Sequence, residues 1–354
     1  MTATADSGAP GALFAAYLGE KRPQIEAFLA ECAPACVAGT AEATRADLDR
    51  YLYQPLERFT ASGGKRTRPA LALLGCEAVG GDPAAALSTA AAIEYFQSAA
   101  LIHDDIADKS ELRRGEPCTY VTEGTGVAIN IGDLGLVNVL ALVLRDEKLP
   151  ADVRSDVAER LVQMEERTLE GQALDLGWAR DGRWDISVED YLYMASHKTA
   201  YYSAAVPLVT GALCGGGTPE QLRALDEFGM RAGLAFQLQD DLLNLVGDAE
   251  TQGKDFRSDI TEGKRTLLAV WALAHLGDLQ RDELLHILGR ETTDAVALAR
   301  AVELIGASGA VDYVRGYARE LVADAKAHLV GARLEETPRD VLLSMADFFV
   351  ERAG

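Results

Sequence analysis

Two aspartate pairs lie far apart at the ends of apolar, helix-like stretches: Asp104-Asp105 with Asp108, and Asp240-Asp241 with Asn244. The first reads Leu-Ile-His-Asp-Asp-Ile-Ala-Asp over 101–108, the second Phe-Gln-Leu-Gln-Asp-Asp-Leu-Leu-Asn over 236–244. On a helix, positions i and i+4 share a face and i+1 lies beside them, so each motif aims oxygen ligands in one direction. Hard oxygen donors with no soft ligand nearby suit Mg²⁺, which takes a few carboxylates and completes its shell with water and substrate phosphate. Two such clusters facing one another would hold a diphosphate between them. Each follows a mostly apolar run, and a carboxylate at the end of a buried helix needs a partner or a metal.

The cations supply a second anion site. Ser-Gly-Gly-Lys-Arg-Thr-Arg-Pro (62–69) sets three of them beside a glycine pair, just before a helix whose first turn accepts Pro69. Arg113-Arg114 follows Asp108 closely, and further cations occur in Lys198-Thr199, Gly253-Lys254 and Gly263-Lys264-Arg265. Any one of these alone reads as ordinary surface charge. Their placement beside the aspartate motifs in a chain of net charge −21 gives them weight as a set.

The elements that must position these groups read as helices almost throughout. Apolar residues recur at three- and four-residue spacing over 22–34, 45–59, 69–79, 84–108, 128–146, 152–174, 188–213, 218–246, 264–276, 294–306, 309–331 and 338–352. Glycine and proline breakers separate them, notably Gly80 to Pro83, Gly177 to Asp185 and Gly215 to Gly217. The expectation is an all-α, single-domain helical bundle over 11–354, with 1–10 as a disordered tail. Composition (48% hydrophobic, 25% charged) is that of a globular protein. The acidic balance excludes nucleic acid and anionic membranes as partners. Five cysteines without a CxxC pair give neither a disulfide framework nor a zinc site. No signal-peptide pattern and no apolar run of membrane-spanning length is read, so a cytoplasmic protein is expected.

In this order and spacing the motifs resemble the trans-isoprenyl diphosphate synthases, the polyprenyl synthetase family, with a likeness to the geranylgeranyl diphosphate synthases among them. The match runs from Gly63 to Thr266 through Gly-Gly-Lys-Arg-Thr-Arg-Pro, Asp-Asp-Ile-Ala-Asp with Arg-Arg-Gly-Glu-Pro, Gly171-Gln172-Ala-Leu-Asp175, Lys198-Thr199, Phe236-Gln237-Leu-Gln-Asp-Asp and Gly253-Lys254 with Glu262-Gly263-Lys264. The resemblance implies antiparallel helices around a central cavity, the isoprenoid synthase fold, and a homodimer. It implies that Asp104, Asp105, Asp108, Asp240, Asp241 and Asn244 bind Mg²⁺, three ions per site, with Mn²⁺ as the substitute ion. Arg113, Lys198 and Lys254 would contact an allylic diphosphate, with Lys264 beside them. Gly64, Lys65, Arg68, Gln97 and Arg114 would hold isopentenyl diphosphate. Thr199 and Gln237 would face the allylic cation, His103 would be structural, and 246–266 would form a lid.

The chain departs from the family pattern at Asn244, where an Asp is usual, at Cys118 in place of a Thr, and at Asp255-Phe256, where a Pro is usual. None removes a charged ligand except Asn244, which still offers a neutral oxygen. Product length is read from the first motif helix. Ala100 and Ala99, four and five residues before Asp104, are small where the family uses bulky residues to stop growth early, and Phe96 stands one turn deeper as the floor. Geranylgeranyl diphosphate is the expected product, against a longer C25-or-above product as rival. A terpene synthase-type lyase would not need the second diphosphate set, and a non-catalytic partner subunit would have lost charged ligands.

Overall fold

The computed structural model describes residues 11–247, 257–290 and 292–351. The expected tail 1–10 and Lys254 lie outside the described residues. The chain is helical nearly throughout. The helices that build and support the site are α1 (Ala12–Glu31), α2 (Thr67–Ala78), α3 (Leu87–Ala107), α4 (Thr125–Leu144), α5 (Ala151–Arg180), α6 (Val188–Ala195), α7 (Val206–Cys214), α8 (Pro219–Val246), α9 (Leu267–His275), α10 (Asp278–Leu288), α11 (Ala295–Ala307), α12 (Ala310–His328) and α13 (Glu336–Glu351).

α3 is the central helix, buried along most of its length, which is why its sequence is apolar on all faces rather than on one stripe. It packs on α4 and on α2, and α2 packs on α7. Glycine permits that last approach: a Cβ on Gly75 would lie 2.1 Å from the Leu208 carbonyl oxygen, and one on Gly211 1.8 Å from that of Ala72. The two backbones touch where each helix has no side chain. A second apolar cluster joins the far ends of α6 and α8 to α9, α10, α11 and α12, and Met230, Leu321 and Val350 pack against both clusters.

Several elements differ from the periodicity reading. α1 begins at Ala12 rather than 22, because Pro23 lies inside a helix that its own sequence suggests it should start. α10 had no counterpart; its charged residues mask Leu284, Ile287 and Leu288, which it buries. α5 runs on across Gly177 to Arg180. The expected single helix 188–213 is α6 and α7 joined by a π-helical segment, Ser196–Ala205. A two-stranded hairpin, Leu112–Arg113 with Glu116–Pro117, turns through Arg114 (φ 55°) and Gly115 (φ 84°), the left-handed pair that tight hairpin turns require.

One sequence expectation, on the length of apolar stretches, needs a qualification. α4 is long and apolar enough to cross a membrane by length and composition. The apolar count missed it because Asn130, Asp133 and Asn138 punctuate the run. Part of α4 packs on α3, whereas Ile129, Val137 and Leu144 are exposed.

Candidate active site

The C-terminal ends of α3 and α8 meet at a polar cavity of about 380 Å³. Asp104 comes to it from α3, Gln237, Asp240 and Asp241 from α8, and Asp175 from α5. The π-helical segment brings Lys198, Thr199 and Tyr202 to the same wall. π-helical turns widen the backbone and recur at functional sites. Here the widened segment meets Gly171 of α5, where a Cβ would lie 2.2 Å from the Lys198 nitrogen. The glycine lets the lysine backbone close on α5, and the Lys198 ammonium then pairs with Asp175 one helical turn on.

The two motifs are used unevenly. Asp104 accepts a 3.1 Å hydrogen bond from Gln172 Nε2 and lies 3.8 Å from Arg113 Nη2. Asp105 is turned inward, 1% exposed, and bound by Arg113, whose Nε donates at 2.8 Å. Asp108 sits in the field of Asp104, Lys264, Glu262 and Lys198. In the second motif Asp240 lines the cavity. Asp241 is buried, and both its oxygens accept: Oδ2 from the Tyr191 hydroxyl at 2.7 Å, Oδ1 from Gln237 Nε2 at 2.8 Å. Asn244 does not line the main cavity. Its Nδ2 donates to Ser258 Oγ at 3.1 Å and its Oδ1 accepts the Asp259 N–H at 3.2 Å, so it shapes the chain after α8. Of the two expected metal ligands, Asp105 thus gives one oxygen to a neighbouring Arg and keeps the other unpaired, and Asn244 is engaged by the turn that follows α8.

Burial, and then the Asp104 charge, push the Asp108 carboxyl up to about 6, against the pull of Lys264 and Lys198. Burial and then Asp259 push Asp241 up to about 7, although Tyr191, Gln237 and Lys264 favour its charge. Burial works against the Lys198 ammonium, but Asp175 and Asp104 outweigh it and keep it charged. Among the described residues no three His, Cys, Asp or Glu side chains converge to hold a metal by themselves. An all-oxygen, divided donor set of this kind fits Mg²⁺, whose remaining ligands are water and substrate oxygens.

These shifts carry a pH prediction. Both carboxyls have folded pKa values above their unfolded ones, so they bind more protons folded than unfolded and the metal-free chain loses their stabilisation as pH rises from about 4 to about 7. A divalent cation favours the ionised forms and reverses that loss. The gain in melting temperature on adding Mg²⁺ and pyrophosphate should therefore be larger at pH 8 than at pH 5.5. Equal gains would show that these carboxyls are not linked to metal.

The cationic loop divides its three charges. Arg66, at φ 51°, turns inward to Glu94 of α3 and to the Thr60 carbonyl, so one of the three expected loop cations is structural. Arg68 reaches the cavity, where its Nη2 donates to Tyr202 Oη at 3.0 Å and Ser203 Oγ at 2.8 Å. Gln97 lines the same cavity. Arg114 donates to the Gly63 carbonyl at 2.8 Å and lies beside Gly64. Lys65 is exposed, its ammonium 5.9 Å from the centre of the Phe348 ring. Lys264 lines the cavity and pairs with Asp259 and Glu262. His103 faces α4, its Nε2 3.2 Å from the Ile129 carbonyl.

Below the polar cavity lies an apolar chamber of about 240 Å³. The two share Leu101, Asp104, Lys198, Thr199 and Tyr202 as walls. Phe96 and Ala100 line the chamber, and the Phe96 ring meets Tyr202 edge-on at 5.5 Å. Ala99 does not line it. It is fully buried and faces Gly135 of α4, where a Cβ would lie 3.0 Å from its own. The expectation that Ala99 borders the growing chain is corrected: five residues before Asp104 falls on the α4-facing side of the helix. Tyr191, Tyr202 and Asp259 are cavity residues that sequence reading did not single out. The first two lie within helical apolar runs, where an aromatic reads as core.

Residues 49–305 match the family model for polyprenyl synthetase. A short chain isoprenyl diphosphate synthase of Methanothermobacter thermautotrophicus is 41% identical over 304 residues, 85% of this chain and 90% of that protein. A geranylfarnesyl diphosphate synthase of Aeropyrum pernix is 34% identical, covering 82% and 91%. The crystal structure of a geranylgeranyl pyrophosphate synthase from Corynebacterium glutamicum, complexed with isoprenyl diphosphate and magnesium, superposes with a TM-score of 0.84 at 31% identity, covering 95% of this chain and 98% of that one. With its paired aspartate motifs set over a polar cavity and an apolar chamber, the chain belongs to the polyprenyl synthetase family.

Proposed function

We propose that this prenyltransferase joins isopentenyl diphosphate head to tail, in trans, to an allylic diphosphate, and releases geranylgeranyl diphosphate. The observation that carries the reading is the shared wall: a polar cavity with two carboxylate clusters and cations opens directly into an apolar chamber. Lys198, Arg113 and Lys264 bind the allylic diphosphate at the top, with Lys254 assigned to the same group by the sequence. Arg68, Gln97, Arg114, Gly64 and Lys65 take isopentenyl diphosphate. Asp104 and Asp108 on one side and Asp240 on the other would hold Mg²⁺, which would supply charge stabilising the departing diphosphate. Thr199 and Gln237 turn their oxygens to the cationic carbon. Asp105 fixes Arg113, and Asp241 is fixed by Tyr191, which positions the side chains beside them.

The depth of the chamber favours a C20 product. Phe96 lies eight residues before Asp104, about 12 Å along the helix at ~1.5 Å per residue. An isoprene unit spans roughly 4–5 Å, from four carbon–carbon bonds of ~1.5 Å in projection. About three units fit above Phe96, so a C15 allylic substrate is the longest that seats fully, and one more condensation gives C20. Phe96→Ala should make C25 and longer products the major fraction. An unchanged distribution would remove Phe96 from the account. Incubation with isopentenyl diphosphate and, separately, dimethylallyl, geranyl and farnesyl diphosphates, with the alcohols sized after dephosphorylation, tests the whole reading. A hydrocarbon from one diphosphate alone would make the chain a lyase, and no turnover would leave it a partner subunit.

The same reading takes 11–354 as one domain, a cytoplasmic location and a homodimer. α4, on which Ile129, Val137 and Leu144 are exposed, packs on α5, whose Leu169 and Leu176 are also exposed. Asp133 on α4 is 60% exposed, a poor fit to lipid, so a second copy is the better cover for this face.

A further inference from the structure

Glu165 is an acid in the wall of the apolar chamber, beside Phe96, Leu136, Leu169 and Tyr202. Its Oε1 is shut off from solvent and has no hydrogen-bond partner. No described side chain forms an ion pair with it, and burial alone pushes its carboxyl up to about 7. The diphosphate mechanism has no use for it. Its height in the chamber follows from the helices. Gln172 of α5 is bonded to Asp104 at the top. Glu165 lies seven residues before Gln172 and Phe96 eight before Asp104, about 10.5 and 12 Å down at ~1.5 Å per residue. The two side chains stand level at the deep end.

We propose that Glu165 limits product length: its carboxyl, opposite Phe96, makes the deep end hostile to hydrocarbon and stops elongation before the chain passes it. This rests on the prenyl-chain reading of the chamber given above. A tail that reaches Glu165 takes away whatever hydration its second oxygen retains and offers no hydrogen bond in return, and an unpaired polar group buried in hydrocarbon is strongly disfavoured. Phe96 acts by shape, whereas Glu165 acts by polarity. A leucine of similar size would keep the space filled and remove only the polarity.

The experiment compares wild type, Glu165→Leu and Glu165→Gln, each with isopentenyl diphosphate and either dimethylallyl or farnesyl diphosphate, sizing the alcohols. Glu165→Leu should raise the share of C25 and longer products about tenfold, because hydrocarbon then meets hydrocarbon. Glu165→Gln, polar but uncharged, should give about a threefold rise. The rate of the first condensation onto dimethylallyl diphosphate should stay within about twofold, since Glu165 is far from the reacting carbons. An unchanged or shortened distribution in Glu165→Leu overturns the inference while leaving the enzyme class intact. If Glu165→Leu does not fold, the glutamine variant decides by the same criterion. No condensation by the wild-type chain overturns both this inference and the function on which it rests.

Discussion

Asp104→Asn is expected to lower the single-turnover rate of condensation by about 10³-fold, some 4 kcal/mol of lost transition-state stabilisation. Among the described residues Asp104 is the one carboxylate that borders both the polar cavity and the apolar chamber. In the proposed reaction it therefore stands where the diphosphate would leave and the allylic carbon would be exposed. Asparagine keeps the size and can still accept from Gln172, so the end of α3 should hold its place. What is lost is one negative charge at the proposed metal site. Stability should not suffer, because Asp104 raises the Asp108 carboxyl and removing it relieves like-charge repulsion. A melting temperature at or above wild type together with the rate loss is the expected pair of results. Activity within tenfold of wild type would move the metal site away from the first motif. A matched fall in melting temperature would reduce the effect to folding.

The fold class and most of the site could be read from the chain, because both are encoded locally. Asp104 and Asp108 share a helix face by spacing alone, and apolar stretches long enough to bury α3 and α8 are plain in the sequence. What could not be read depends on contacts between distant segments. Asp105 and Asp104 are neighbours of the same type, yet Arg113 takes one and leaves the other facing the cavity. Asn244 matches a ligand position, but residues 257–259 fold back onto it. Ala99 and Ala100 look equivalent until the position of α4 decides which one faces the chamber. Glu165 carries no motif, and on periodicity it is one acid among several on a charged helix. Only the placement of α5 against α3 sets it in an apolar wall. Likewise Arg66 and Arg68 are equal cations by residue type, and only the family resemblance singled out Arg68; the left-handed backbone at Arg66 sends one inward to Glu94 and leaves the other at the cavity.

That division of labour in the cationic loop gives the second large effect. Arg68→Met should raise KM for isopentenyl diphosphate about 10²-fold, roughly 3 kcal/mol, with KM for the allylic diphosphate changed by less than about threefold. Arg68 is held in place on the cavity wall. Its guanidinium lies over the Tyr202 ring at 4.6 Å, and one nitrogen is tied to Tyr202 and Ser203. A guanidinium carries five donors, and only Nη2 is tied to Tyr202 and Ser203, so a phosphate can take bonds that the protein does not. Methionine preserves the stem and its packing against the wall while removing every donor. The split between the two KM values matters more than either alone. Equal rises would mean that Arg68 serves the cavity as a whole through Tyr202, which borders both chambers. A rise confined to isopentenyl diphosphate would establish a second diphosphate site, which a lyase using one prenyl diphosphate has no need to build.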